Sequence, residues 1–226
     1  NQHPVDLVGP FPDPIDSGIS VVSLSRVLCT KTVSSQDLNV FVNAVIKGFR
    51  TVHLCDRALR CIFFNGLGDA ITKVYGFLRR TARVITPSPT YTTHSASEAA
   101  HAGLPPVCYP LDPYNKWLPD IDQLRWRVKY NPAVAGILVI NPDNPTGAVY
   151  PVELVKEIVE IAREFDLFII ADEIYQNLVF NGNKTEPLGA IIGDVPGISM
   201  KGISKELPWP GSRCGWIEVY NGNRDS

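Results

Sequence analysis

Several features are missing from this chain, and each absence narrows what it can be. No apolar run approaches the ~18 to 20 residues of a membrane-spanning helix, and no charged-then-apolar segment opens the sequence as a signal peptide would. Neither sign of charge dominates: 21 basic residues face 23 acidic ones for a net charge of -2, which argues against a nucleic-acid or anionic-membrane partner and for a small molecule. The five cysteines, Cys29, Cys55, Cys61, Cys108 and Cys214, are odd in number and form no CxxC pair. A disulfide framework or zinc site is therefore not expected, and reduced thiols in a cytoplasmic protein are. Methionine occurs once, at Met200, and a chain that opens at Asn1 is expected to be a piece of a longer one. Internal repeats and low-complexity segments are missing as well.

What is present reads as one large α/β domain. The 226 residues are 45% hydrophobic and 19% charged, enough to bury a sizeable core. Residues 1 to 35 are read as an arm or loop, because Pro4, Pro10, Pro12 and Pro14 forbid a helix. A helix is expected from Ser34 to Lys47, on the spacing of Leu38, Phe41, Val42, Val45 and Ile46. Beyond residue 60, short apolar runs alternate with helical spacings. Cys61 to Phe64 is a strand that ends in Asn65-Gly66-Leu67-Gly68-Asp69 and feeds a helix through Ile71, Val74, Tyr75 and Leu78, with Arg79 and Arg80 at its end to complement the dipole. Ala82 to Ile85 is a strand, Thr92 to Ala102 a helix stopped by Gly103, Val107 to Tyr109 a strand, and Asp120 the cap of another helix. Gly136 to Ile140 and Leu167 to Ala171 are apolar at nearly every position, the pattern of parallel strands buried on both faces. Residues 187 to 196 read as a polar, Gly-rich connection before a strand at Ile198 to Met200, and Trp216 to Val219 closes the pattern. The expected architecture is a mostly parallel sheet with its chemistry at the strand ends.

Four strand-end motifs carry that chemistry. The Gly66 turn aims backbone N–H groups and a helix N-terminus at one point where an anion can sit, although a plain tight turn has the same residues. Asn144-Pro145-Thr146-Gly147 follows the strand at 136–140. Asp172 to Tyr175 follows the strand at 167–171, where an aspartate can equally cap a turn. Ser204-Lys205 precedes Arg213 across a loop stiffened by Pro208, Pro210 and Gly211. A nicotinamide site at Gly66 to Asp69 is a poor alternative, since the third fingerprint glycine is missing and no acidic residue clearly ends the second strand.

In order and spacing, these motifs resemble the class I and II aminotransferases, members of the fold type I pyridoxal-phosphate enzymes, from about residue 61 to residue 221. The resemblance implies a three-layer αβα sandwich around a mostly parallel seven-stranded sheet, with pyridoxal 5'-phosphate as cofactor. By the same resemblance, Lys205 forms the Schiff base and shuttles the substrate proton, withdrawn from bulk water beside Arg213. Asp172 pairs with the pyridine nitrogen, and Tyr175 and Asn144 donate to the phenolic oxygen. Tyr91 stacks on the ring, while Arg213, Ser204 and the amides of Gly66, Leu67 and Gly68 hold the phosphate. Substrates would be an α-amino acid and a 2-oxo acid, and the assembly a homodimer, with no metal, nucleic acid or membrane involved.

Departures from the family qualify this. Leu67, Gly68 and Gly202 stand where the family often has phosphate-binding hydroxyls, and no tyrosine precedes Tyr75. By the resemblance, residues 1–60 match the family poorly, residues 61–226 are expected to correspond to its cofactor-binding large domain, and the C-terminal small domain with its substrate-carboxylate arginine is expected to lie outside this sequence. The isolated chain is therefore expected to bind cofactor weakly and turn over poorly. A non-catalytic or truncated remnant, or a lyase or decarboxylase of the same fold, would share these residues.

Overall fold

The computed structural model describes residues 60–222, which fall within one compact unit of chain, Cys55–Ser226. The expected arm, the expected helix from Ser34, and Cys29 and Cys55 lie outside the described residues. The described strands are β1 (Arg60–Asn65), β2 (Arg83–Ser88), β3 (Cys108–Asp112), β4 (Leu118–Pro119), β5 (Val134–Ile140), β6 (Phe168–Asp172), β7 (Gly197–Gly202) and β8 (Cys214–Tyr220). Interleaved with them are the helices α1 (Leu67–Phe77), α2 (Thr92–Ala102), α3 (Ile121–Lys129), α4 (Val152–Glu164) and α5 (Leu188–Ile191).

All eight strands join one sheet in the order β1-β8-β7-β6-β5-β2-β3-β4. From β7 through β6, β5 and β2 to β3 the pairing is parallel. β8 runs antiparallel to both of its neighbours, β1 and β7. Seven strands are the expected ones, and the two-residue β4 adds an antiparallel edge to β3. The four-residue α5 lies within the stretch expected to be a connection, and no element was expected at β4, because neither is long enough to show a periodicity.

Two cores flank the sheet and make it the middle of three layers. On one face, Ala70, Ile71, Val74 and Tyr75 of α1 cover Val84, Leu138, Ile140, Ile170, Met200 and Ile217. On the other, Leu124 and Val128 of α3 and the Val155–Ala162 stripe of α4 cover Ile85, Ile137, Val139, Ile169 and Ala171. β5 is apolar throughout because alternate residues serve these two cores, and each fully buried aliphatic side chain contributes about 1.5–3 kcal/mol.

The helix ends follow their sequence signals with one exception. Gly103 takes a left-handed φ of 66° to stop α2, and the Asp120 carboxylate accepts the Gln123 N–H at 3.0 Å to start α3. α1, however, ends at Phe77 and caps on Leu78, so Arg79 and Arg80 lie beyond its last turn and do not serve its dipole as expected. α2 packs beside α1 and is held to the sheet by a buried ion pair. Arg83 Nε and Nη2 donate to the two oxygens of Glu98 at 2.5 and 2.9 Å, and Nη2 also reaches the Pro105 carbonyl at 2.7 Å. The carboxylate raises the guanidinium's affinity for its proton.

Candidate functional site

Topology gathers the sequence-predicted residues along one edge of the sheet. Parallel strands β1, β2, β5, β6 and β7 all end there, delivering Gly66, Tyr91, Asn144, Asp172 and Lys205. β8 runs the other way, so its beginning lies at the same edge: Cys214 pairs with Asn65 and Gly215 with Gly202. Arg213 is thereby set between the Gly66 turn and the Lys205 loop. The order along the edge is Gly66, Arg213, Lys205, Asp172, Asn144, Tyr91. β2 continues to β3 on one side while β5 lies on its other side, so Tyr91 and Asn144 flank the crevice where the strand order reverses.

The turn at Gly66 is built by close approaches that side chains would block. Gly66 has φ 78°, and a Cβ there would lie 2.8 Å from Arg213 Cζ. A Cβ on Gly215 would meet the Leu67 amide nitrogen at 2.7 Å, so glycine at 215 lets β8 pass directly under the start of α1. Arg213 itself is left-handed at φ 52°, and its Nη2 donates to the Asn65 carbonyl at 3.2 Å, laying the guanidinium over the turn. No side chain caps α1. The Gly66 N–H donates to the Phe64 carbonyl at 2.8 Å, so this amide does not join the donors expected of it, and Leu67 and Gly68 supply the amides that begin the helix. A helix N-terminus, a cation and an absent Cβ make an anion cradle. Asp69 sits behind it, where its carboxylate accepts the Asn65 N–H at 3.1 Å and pairs with Lys73.

Two strands along from Arg213, about 10 Å at ordinary strand spacing, lies Asp172. It is 2% exposed, and its Oδ1 accepts the Ile174 N–H at 3.1 Å. Its Oδ2 is 3.0 Å from Nε2 of His94, which is fully buried. Sequence reading missed this histidine, which stands in α2 three residues after Tyr91; the only signal was a polar ring on the buried side of a short helix. The hydrogen bond fixes the imidazole and holds the carboxylate at the strand end. Rings of Tyr75 and Tyr91 meet the His94 ring edge-on, with centroids 6.1 and 6.3 Å away. Tyr91 is 37% exposed.

Lys205 follows β7 by three residues, and its Nζ lies 5.7 Å from the centroid of the half-buried Tyr175 ring. The lysine is exposed, contrary to the expectation of an amine withdrawn from water. The reason is local: β7 ends at Gly202 and the chain leaves the sheet edge, so no described layer covers the side chain. Asn144 and Ser204 are half-buried at the same edge. The Asn144 loop is tied down from behind, with Asp143 Oδ2 accepting the Thr146 N–H at 3.1 Å and Asn141 Oδ1 accepting the Tyr150 N–H at 2.9 Å. Burial pushes the Asp143 carboxyl up from its ordinary value. Among the described residues, no group of three or more His, Cys, Asp or Glu is arranged to hold a metal ion, and no helix is long and apolar enough to cross a membrane.

Fold and edge together define an α/β domain of the aspartate aminotransferase-like type. It superposes on an alanine aminotransferase from Pyrococcus furiosus with a TM-score of 0.66 and 31% identity, covering 73% of this chain and 41% of that one. An aminotransferase from Escherichia coli superposes with a TM-score of 0.71 and 30% identity, covering 95% of this chain and 55% of that one. The sequence model described as aminotransferase class I and II matches residues 29–221, and the chain belongs to that family. Over 164 residues it is 70% identical to an uncharacterised aminotransferase of Methanocaldococcus jannaschii, covering 73% of this chain and 38% of that protein. Over 181 residues it is 34% identical to a glutamate-pyruvate aminotransferase of Escherichia coli, covering 79% of this chain and 44% of that protein. The chain thus spans less than half the length of these curated relatives.

Proposed function

We propose that this chain forms the cofactor-binding part of a pyridoxal-phosphate-dependent aminotransferase, one that moves an amino group between an α-amino acid and a 2-oxo acid. One observation carries the reading: an anion cradle, a lysine and a buried carboxylate come from β8, β7 and β6, three neighbouring strands, at one sheet edge. The donor set fits the cofactor, because the cradle has room only where Gly66 lacks a Cβ, and a buried carboxylate is the chemistry that pairs with a protonated ring nitrogen. When bound, pyridoxal phosphate supplies an electron-withdrawing ring that stabilises negative charge at the substrate Cα.

The residues then divide the work. Arg213 and the amides of Leu67 and Gly68 bind the phosphate, with Ser204 beside them. Lys205 anchors the cofactor through Nζ and, once displaced by substrate, takes and returns the proton at Cα. Asp172, steadied by His94, holds a proton on the ring nitrogen. Tyr175 and Asn144 donate to the phenolic oxygen, and Tyr91 covers one ring face. The relatives named as glutamate-pyruvate and alanine aminotransferases support glutamate, alanine and pyruvate as the first substrates to assay.

The test is addition of pyridoxal phosphate followed by borohydride reduction and peptide mapping. A stable adduct on Lys205 is the expected result, and its absence or its location on another lysine would overturn the reading. Stoichiometric amino transfer separates an aminotransferase from a lyase or decarboxylase of the same fold. Two substitutions probe the roles. Asp172→Asn should retain cofactor yet slow exchange of the substrate α-proton by about 10²-fold or more, measured by isotope exchange. Gly66→Ala must place a Cβ at positive φ and push the Arg213 guanidinium aside, so cofactor affinity should fall by at least about tenfold in a fluorescence titration.

A further inference from the structure

Behind the site, on the opposite face of the sheet, a second lysine is held in a way the reaction does not require. Lys201 stands in β7 four residues ahead of Lys205 and is 9% exposed. Its Nζ lies 3.1 Å from Glu218 Oε2 in β8 and 3.6 Å from Glu173 Oε2, one residue beyond β6. Glu173 and Glu218 are 6% and 1% exposed. Each carboxylate has further donors. Glu173 accepts the Leu188 N–H at 2.6 Å and the Ser199 hydroxyl, while Glu218 accepts Trp216 Nε1–H at 3.1 Å and the Tyr220 hydroxyl at 2.5 Å.

Such a network is a poor way to gain stability. Two carboxylates share one ammonium out of water, and neutral groups of the same shape often stabilise a fold as well or better. Its placement is more telling. The strands it joins are the three that carry Asp172, Lys205 and Arg213. Glu173 directly follows Asp172, and strand alternation sends the two carboxylates to opposite faces, one pinned by His94 and the other by Lys201, Ser199 and the start of α5. Backbone pairing sets the register of these strands, but a bound group must be met to within about 0.5 Å, which side-chain support behind the site can provide.

We propose that Lys201, with Glu173 and Glu218, is a positioning network that fixes β6, β7 and β8 against one another, so that Asp172, Lys205 and Arg213 meet a single pyridoxal phosphate. This rests on the cofactor assignment above. All three side chains lie on the face of the sheet opposite the Asp172 carboxylate, so they act through the strands they join.

The decisive variant is Lys201→Met combined with Glu173→Gln and Glu218→Gln, which removes every charge while keeping shape and one acceptor oxygen at each glutamate position. Its thermal midpoint should stay close to that of the wild type. Its Kd for pyridoxal phosphate should rise by at least about tenfold, and the visible circular dichroism of the bound cofactor, which reports its tilt in the site, should weaken. Unchanged affinity and dichroism would overturn the proposal, whether or not the thermal midpoint falls. Should the triple variant fail to fold, Glu218→Gln alone leaves a balanced Glu173–Lys201 pair, and the same two readouts should move in the same directions; no movement would again overturn it. If the wild-type protein gives no borohydride-fixed adduct on Lys205, the cofactor assignment fails and the positioning role with it. A wild-type adduct alongside unmoved variants sinks the positioning role alone.

Discussion

If the proposed function holds, replacing Lys205 by alanine is expected to lower amino transfer by at least about 10³-fold, with no adduct left for borohydride to fix. General acid-base catalysis alone accounts for roughly 10² to 10⁴, and this lysine is assigned covalent anchoring as well. The fold should not notice. Lys205 is exposed and lies along the Tyr175 ring, with no ion pair among the described residues, so the change in stability should stay within about 0.5 kcal/mol, as for ordinary surface substitutions. Single-turnover kinetics and a thermal melt on the same preparation check both halves. An equally active alanine variant would remove Lys205 from the reaction, and a large loss of stability would mean that its loop is held by this side chain.

Glu98→Ala is expected to have the opposite profile, a severe loss of stability from a residue outside the chemistry. Glu98 is fully buried and accepts two hydrogen bonds from Arg83. Deleting it strands a guanidinium that burial keeps from water, a situation that costs about 3–5 kcal/mol. For a protein of this size, each kcal/mol moves the melting point by about 2–4 °C, so a fall of about 6–20 °C should appear by differential scanning calorimetry. Arg83→Met combined with Glu98→Leu tests the cause, because it removes both charges and should recover much of the loss. If the double variant melts as low as Glu98→Ala, the damage comes from packing of α2 and not from an unpaired charge. Since α2 also carries His94, the single variant should in addition loosen the support of Asp172.

Most of the sheet and nearly all of the edge were legible in the sequence, for reasons visible in particular residues. β5 and β6 are unbroken apolar runs because both faces are covered, and α2 announces its end with Gly103. The site residues stand at strand ends, where turn-forming Gly66, Pro145 and Pro210 mark the breaks. What escaped depends on contacts between residues far apart in sequence. His94 and Asp172 are 78 residues apart, and nothing local to either foretells the pair. Ser199 and Lys201 alternate with Ile198 and Met200 as an outward-facing polar row would, yet they are buried, because α5 and the Glu173 side chain cover that face. α5 in turn has only four residues, too few to reveal a period. The exposure of Lys205 escaped for a related reason, since burial is set by whatever packs above a loop and not by the loop's own residues.

The antiparallel strand that brings Arg213 to the edge also dictates the order in which this domain can be completed during synthesis. β8 inserts between β1 and β7 and pairs with both. Until Cys214–Tyr220 has left the ribosome, β1 has no place in the sheet and β7 ends it with an unsatisfied row of backbone groups. During synthesis β1 therefore waits unpaired from residue 65 until β8 emerges, and β7 keeps one open edge from residue 202 to residue 214, a state prone to mispairing with other chains. The same segment closes both edges and brings in Arg213, so on the proposed function the phosphate site forms only once β8 has paired with β1 and β7, and a ligand held by Arg213 would in turn hold that strand in place.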